Sequence, residues 1–311
     1  MVYQSPLMQQ VLEHARRYAQ ASAPVLITGE SGTGKEVLAR YVHEQSPRKD
    51  APYFQINCAA LSEQLIESEL FGHEAGAFTG ASQTRVGRLE GVGSGTLLLD
   101  ELGELPLVAQ AKLLRVLEER EYQRVGSNQT RNTEARMIAA TNRCLEDEVE
   151  AGRFREDLYH RIHVLALELP PLREHREDIP GLVTTFLRLF QRHGETSVRK
   201  VSAQAMKQLC DHDWPGNIRQ LKNVLLKNCI LTTGEVLDHV ILPASQVIGE
   251  EDLCIPKELL RFTLEEVERR LILAQLQRHN GNKTVTAEVL GVTARTLRNK
   301  MDRYRKLGYV A

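Results

Sequence analysis

Eight residues early in the chain, Gly29-Glu30-Ser31-Gly32-Thr33-Gly34-Lys35-Glu36, have the spacing Gly-x-x-x-x-Gly-Lys. Glycines so placed let the backbone curl until its N–H groups converge on phosphate oxygens. Lys35 then reaches the outer phosphates, and the helix that follows points its positive end at them. An apolar stretch, Pro24 to Ile27, precedes the loop, and helical periodicity over Glu36 to Glu44 follows it. Short glycine loops also arise as plain turns, but that context and Lys35 favour a nucleoside triphosphate site. One departure stands out. The Ser or Thr that usually follows the lysine and helps hold Mg²⁺ is Glu36 here.

A second half-site lies downstream in Gly95-Thr96-Leu97-Leu98-Leu99-Asp100-Glu101. An apolar strand ending in two acids lets Asp100 orient hydrated Mg²⁺, its metal contact being through water, while Glu101 polarises an attacking water. Acidic pairs are common on surfaces, and only the phosphate loop makes this one informative. Thr141-Asn142, at the end of another apolar run, is either a sensor of the γ-phosphate or a polar strand cap.

These groups need a scaffold. Pro24 to Ile27, Tyr53 to Ile56, Thr96 to Leu99 and Arg136 to Ala140 read as short buried strands, and Ser5 to Ala21 and Glu36 to Glu44 as helices. Alternation of this kind predicts an α/β fold, a parallel sheet with helices on both faces, over residues 1–170. After Pro170-Pro171 the texture turns helical. Asp178 to Arg192, Ser202 to His212 and Asn217 to Thr232 predict a small α-helical lid over 171–243, followed by a linker over 244–258.

The remaining segment, 259–311, holds 11 Lys and Arg against 5 Asp and Glu, leaving 29 against 36 elsewhere. An acidic body with a basic tail suggests that the tail meets nucleic acid. Within it, a helix from about Thr263 to Arg278 precedes a compact pair, Thr284 to Leu290 and Thr293 to Lys306, joined at Gly291 with Thr293 as N-cap. Such a pair across a glycine turn is a helix-turn-helix pattern. The apolar runs are far too short to span a bilayer, and the N-terminus has no signal-peptide pattern, so a cytoplasmic protein without a membrane partner is expected. Five scattered cysteines, Cys58, Cys144, Cys210, Cys229 and Cys254, read as reduced thiols in apolar surroundings.

The hexapeptide Gly76-Ala77-Phe78-Thr79-Gly80-Ala81, preceded by Glu69-Leu70-Phe71-Gly72-His73-Glu74, gives the sequence its resemblance. It is similar to the signature of bacterial enhancer-binding proteins, the NtrC-type AAA+ ATPases that activate RNA polymerase carrying sigma-54. Glu36 after the lysine is common there too. The resemblance implies ATP and Mg²⁺ as cofactors, and as partners sigma-54 with its polymerase, upstream enhancer DNA and further copies of the chain in a hexameric or heptameric ring. It also implies roles residue by residue. Gly76 to Ala81 would contact sigma-54, with Phe78 exposed as the hydrophobic element and Thr79 as the polar one. Arg155 and Arg161 would be arginine fingers reaching a neighbour's phosphate, and Asn57 would hold Glu101 in check. Arg219, in Trp214-Pro215-Gly216-Asn217-Ile218-Arg219-Gln220-Leu221, would be a second sensor, and Arg124 would belong to a second pore-side loop.

The tail resembles a Fis-type DNA-binding domain. Its second helix would enter the major groove, with Arg295, Thr296, Arg298 and Asn299 at base edges or phosphates. Lys283, Lys300, Arg303 and Arg305 would face phosphates or water. Family members often carry a regulatory domain ahead of the ATPase, whose region opens here at Ser5-Pro6-Leu7-Met8. Two other readings stay open: a different AAA+ machine, such as a helicase or unfoldase, and a passive DNA-bound scaffold.

Overall fold

Three apolar runs set the central sheet. In the computed structural model the chain passes through α1 (Pro6–Ala19), β1 (Val25–Thr28), α2 (Lys35–Glu44), β2 (Tyr53–Asn57), α3 (Glu63–Phe71), α4 (Arg88–Gly91) and β3 (Thr96–Asp100). It continues through α5 (Leu107–Glu119), β4 (Glu121–Gln123), β5 (Thr130–Asn132), β6 (Arg136–Thr141), α6 (Leu145–Glu150), α7 (Glu156–Ile162) and β7 (Leu165–Glu168). Five strands pair in the order β2-β3-β6-β1-β7, every pair parallel. The described residues are 3–60, 62–243, 263–279, 282–290, 292 and 294–306.

Helices cover both faces of this sheet, so its inner strands are near-continuous apolar runs, with polar residues at their ends, rather than alternating. Leu26, Leu97, Leu99, Met137 and Ala139 enter one buried cluster, with residues of α3, α5 and α7. Val25, Ile27, Leu98, Ile138 and Ala140 enter the opposite one, with residues of α1 and α2. One charged side chain is admitted to this interior. Arg136, 1% exposed, donates to the carbonyls of Ala19 (2.8 Å) and Tyr18 (2.6 Å) at the end of α1. A cation there meets the negative end of the helix, while burial pulls the guanidinium pKa down to about 10. Periodicity places the strand that begins at Arg136 but says nothing of this cap.

The lid comprises α8 (Ile179–Arg192), β8 (Lys200–Val201), α9 (Ala203–Asp211), α10 (Asn217–Leu231) and β9 (Val236–Leu237), with β8 and β9 forming a two-stranded parallel pair. Its core closes around Trp214, fully buried, whose indole N–H donates to the Leu209 carbonyl at 2.8 Å. Buried Asp178 accepts from the backbone N–H groups of Gln4 and Ser5 (2.9 Å for Ser5), tying the start of α1 to the lid.

Sheet and lid form one compact unit, and residues from Ala244 onward a second. The second contains α11 (Leu264–Arg278), α12 (Lys283–Val289) and α13 (Ala294–Lys306), around a core of Ile272, Leu276, Ala287, Leu297, Met301 and Tyr304. The expected linker, Gly291, Thr293 and Cys254 lie outside the described residues. Among the other cysteines, Cys58 and Cys229 are buried, and burial pushes their thiols up to about 12 and about 11. Cys144 departs from the expectation. It is exposed, beside Glu146 at the start of α6. No helix among the described residues is long and apolar enough to cross a membrane.

Candidate active site

The loop from Gly29 to Gly34 leaves β1 and opens α2, so a strand end and a helix N-terminus converge on one spot. Lys35 is 6% exposed, and its ammonium donates to the carbonyls of Gly29 (2.9 Å) and Glu30 (3.2 Å). Burial lowers its pKa, against the pull of the Glu101 and Asp100 carboxylates. Thr33, also buried, donates its hydroxyl to the Glu30 carbonyl at 2.9 Å, whereas Ser31 and Glu36 are exposed. Gly32 has φ +81°, and a Cβ there would lie 2.5 Å from the Gly216 carbonyl of the lid. Any side chain would therefore push the lid off the loop.

The acids arrive on the adjoining strands. Asp100 ends β3 opposite Asn57 of β2 in the ladder, and the Asn57 amide reaches Asp100 Oδ2 at 3.5 Å. The described contact is thus with Asp100, one residue before the glutamate that Asn57 was expected to restrain; its other end accepts from Ala59 N. Burial, then the neighbouring Glu101, raises the Asp100 pKa. Glu101 itself has φ 54° and ψ 50°. A non-glycine residue in left-handed backbone is strained, and such strain concentrates at functional sites. Thr141 ends β6 beside Thr28, where the phosphate loop begins, and its buried hydroxyl accepts from Arg143 N at 3.1 Å. Asn142 next to it is exposed.

The lid reaches the loop through more groups than the sequence indicates. Arg219 donates to the Ser31 hydroxyl at 2.9 Å, and its backbone N–H to the Gly32 carbonyl at 3.3 Å. Arg173 grips the Glu30 carboxylate with two hydrogen bonds, 3.0 and 2.7 Å. Asn217, fully buried with φ 51°, donates to Glu30 Oε2 (3.0 Å) and the Ser31 carbonyl (3.1 Å), and accepts from Leu172 N (2.8 Å). Arg173 and then Asn217 hold the Glu30 carboxyl below its ordinary range. Gln220, standing where glutamate is commoner in the resembled family, accepts from Gly216 N at 2.9 Å and steadies the turn before Arg219.

Asn217→Ala removes three hydrogen bonds and leaves a buried backbone N–H unpaired, a loss of roughly 1–3 kcal/mol. The expected result is ATP binding weakened by about tenfold, the equivalent of ~1.4 kcal/mol, in a nucleotide titration. Unchanged affinity would mean that the lid does not organise the loop.

Arg155 and Arg161 both lie on the exposed surface at α7. The Arg155 guanidinium pairs with Asp157 at 2.7 Å, and Arg161 donates to the Leu117 carbonyl in the last turn of α5 at 3.1 Å. Neither has a described contact with its own phosphate loop.

Gly76 to Ala81 form a compact turn. Gly76 N donates to the Ala81 carbonyl at 2.7 Å and Ala81 N to Phe78 O at 3.0 Å. Phe78 is half-buried, with its ring meeting His73 edge-on at 5.0 Å, rather than exposed as expected. Burying the ring against the imidazole is more favourable than leaving it in water, so Thr79 and Gly80 form the exposed tip. Arg124 is spent at the base of the loop. Only 9% of its side chain is exposed, and it binds Glu74 and Glu90 at 2.9 Å each. Alongside it, a Cβ on Gly126 would come within 2.7 Å of the Ala77 side chain, so the β4–β5 connection and this loop touch.

Comparison with known proteins identifies this geometry. Residues 1–168 match the family described as Sigma-54 interaction domain, 173–252 the AAA+ ATPase lid domain, and 263–304 the bacterial regulatory proteins of the Fis family. The transcriptional regulatory protein ZraR of Escherichia coli K12 is 48% identical over 303 residues, covering 97% of this chain and 68% of that protein. The chain belongs to the sigma-54-dependent transcriptional regulators. AtoC of the same organism is 45% identical over 313 residues, across 96% of this chain and 66% of that protein. The crystal structure of Brucella abortus NtrX in complex with ATP superposes with a TM-score of 0.71 at 35% identity, over 99% of this chain and 69% of that one. Hsp104, 17% identical over 72% of this chain and 44% of that one at TM-score 0.53, shares the AAA+ fold. This sigma-54 activator is thus an AAA+ ATPase that binds ATP, with a DNA-binding helix-turn-helix.

The Fis-type unit divides α13 into two faces. Leu297, Met301 and Tyr304 are buried, while Thr296, Arg298, Asn299 and Arg303 are exposed on the other side. Arg295 lies at the second position of the same helix. Lys300 departs from its expected place, forming an ion pair with Glu268 of α11 at 2.6 Å that ties the two helices together.

Proposed function

We propose that this sigma-54 activator couples ATP hydrolysis, in a ring of six or seven copies, to remodelling of the closed promoter complex through the Gly76–Ala81 loop. Its working parts are an ATPase subdomain over 1–170, a lid over 171–243, a linker over 244–258 and a DNA-binding domain over 259–311, at work in the cytoplasm. Arg295, Thr296, Arg298, Asn299 and Arg303 read upstream DNA. Lys35, the loop backbone and Arg219 hold the triphosphate, while Thr141 and Asn142 sense its end. Half-buried Asp100, near Lys35, would hold Mg²⁺, which would supply positive charge to the triphosphate. Glu101 takes a proton from the attacking water, Asn57 steadies the acidic pair, and Arg155 and Arg161 reach the next subunit's nucleotide.

The observation that carries this reading is a loop anchored at its base and open at its tip. Arg124, Glu74 and Glu90 fix the base, while ideal Cβ atoms on Gly76 and Gly80 would meet nothing within 4 Å. A polar tip so presented can be advanced or withdrawn as a unit. Thr79→Ala is therefore expected to retain ATPase activity within about twofold, since surface changes away from packing are small, yet to abolish open-complex formation with sigma-54 polymerase. Equal loss of both activities would make the loop a structural element only.

A further inference from the structure

Gln110 on α5 is fully buried, and both ends of its side chain are committed. Nε2 donates to the Leu105 carbonyl at 2.6 Å and the Arg153 carbonyl at 3.0 Å, and Oε1 accepts from Arg155 N at 2.9 Å. A buried amide is tolerated only when its donors and acceptor are met, and an apolar side chain would fill the same space without that requirement. What Gln110 adds is therefore position.

The segment it grips leads into α7. Arg153 N and Phe154 N donate to the Glu148 carbonyl of α6 at 2.9 and 3.0 Å, and Phe154 is buried in the core. Gln110 takes two further groups, Arg153 O and Arg155 N. The backbone just ahead of the Arg155 side chain is thus fixed from two helices. The third partner, Leu105, closes the 3₁₀ turn Leu102–Glu104 that opens at Glu101.

We propose that Gln110 is a positioning residue for Arg155, setting where its guanidinium leaves the surface and tying that point to the turn that carries Glu101. The inference rests on the reading of Arg155 as a group that acts on a neighbouring subunit's nucleotide. Misplacing such a group by about 1 Å costs about 10²-fold in turnover.

Gln110→Leu is accordingly expected to lower kcat for ATP by ~10²-fold with KM nearly unchanged, because its own nucleotide cradle is intact. The decisive experiment mixes subunits of the full chain. Glu101→Gln lacks the water-polarising acid but keeps a well-placed Arg155, whereas Gln110→Leu has the opposite defect. Mixed together, they form interfaces in which an intact Arg155 faces an intact site, so turnover rises well above that of either variant alone. A control pair, Arg155→Ala with Glu101→Gln, should recover in the same way.

If the control recovers and the Gln110 pair does not, Gln110 acts within its own site and the proposal is overturned. Failure of the control pair would instead remove the reading of Arg155 on which the proposal stands. A raised KM at constant kcat would also overturn it. Should Gln110→Leu prove unfolded by circular dichroism, Gln110→Met, which fills a similar volume without either amide group, carries the same test.

Discussion

Arg155→Ala is expected to lower ATP turnover by ~10³–10⁵-fold, the range an arginine finger supplies to phosphoryl transfer, while leaving nucleotide affinity nearly unchanged. The reason lies in where the side chain spends its time. Arg155 sits at the N-cap of α7, exposed, and its partner is Asp157 two residues away. The hydrogen bond to that carboxylate raises the Arg155 pKa, so the group stays cationic. An ion pair between two exposed groups is weak and screened by salt. Asp157 can therefore orient the guanidinium without preventing its capture by a more concentrated negative charge, such as a phosphate at a subunit boundary. Arg161 is held differently, by the Leu117 carbonyl at the end of α5. Arg161→Ala should accordingly lower both turnover and the melting temperature, while Arg155→Ala should lower turnover alone. Steady-state ATPase assays with thermal melts separate the two. Arg155→Ala turning over within tenfold of the wild type would rule out the trans-acting role.

The nucleotide loop and the inner strands are legible in the sequence for a simple reason. Strands buried on both faces are continuous apolar runs, and the segment that follows β1 must be glycine-rich to wrap phosphate. The edge strand β7 is harder to read. It has only four residues, and although Val164 to Leu167 are all apolar its burial alternates, as at a sheet edge. The β4–β5 hairpin is short and polar, with no apolar run to mark it. The least legible features join distant parts of the chain. Glu30 meets Arg173 and Asn217 across 143 and 187 positions, and no local period encodes such a pairing. The motif around Arg219 points to the right turn, but Asn217, two residues earlier, makes as many bonds to the loop and a further one to Leu172. Phe78 shows the converse error. An aromatic between glycines reads as exposed, yet His73, five residues before it, takes up its ring.

Glu101→Gln should leave ATP bound and reduce hydrolysis by ~10²–10⁴-fold, the usual contribution of a general base. The substitution keeps size and shape and removes only the proton acceptor. Asp100, whose carboxyl is partly buried and accepts from Glu101 N at 3.1 Å, stays in place, where it would hold Mg²⁺. Lys35 keeps its grip on the loop through Gly29 and Glu30. The left-handed backbone at Glu101 sharpens the expectation. Glutamine suffers the same strain as glutamate there, so the variant should fold with wild-type stability, and any loss of turnover is chemical. Glu101→Gly, by contrast, should relieve about 1–2 kcal/mol of backbone strain and melt at a higher temperature while being equally inactive. That pairing of greater stability with lost activity is what a strained catalytic position predicts. Nucleotide titration, single-turnover hydrolysis and thermal melting of the two variants together test it. A Glu101→Gln protein that hydrolyses ATP at near wild-type rate would place the base elsewhere.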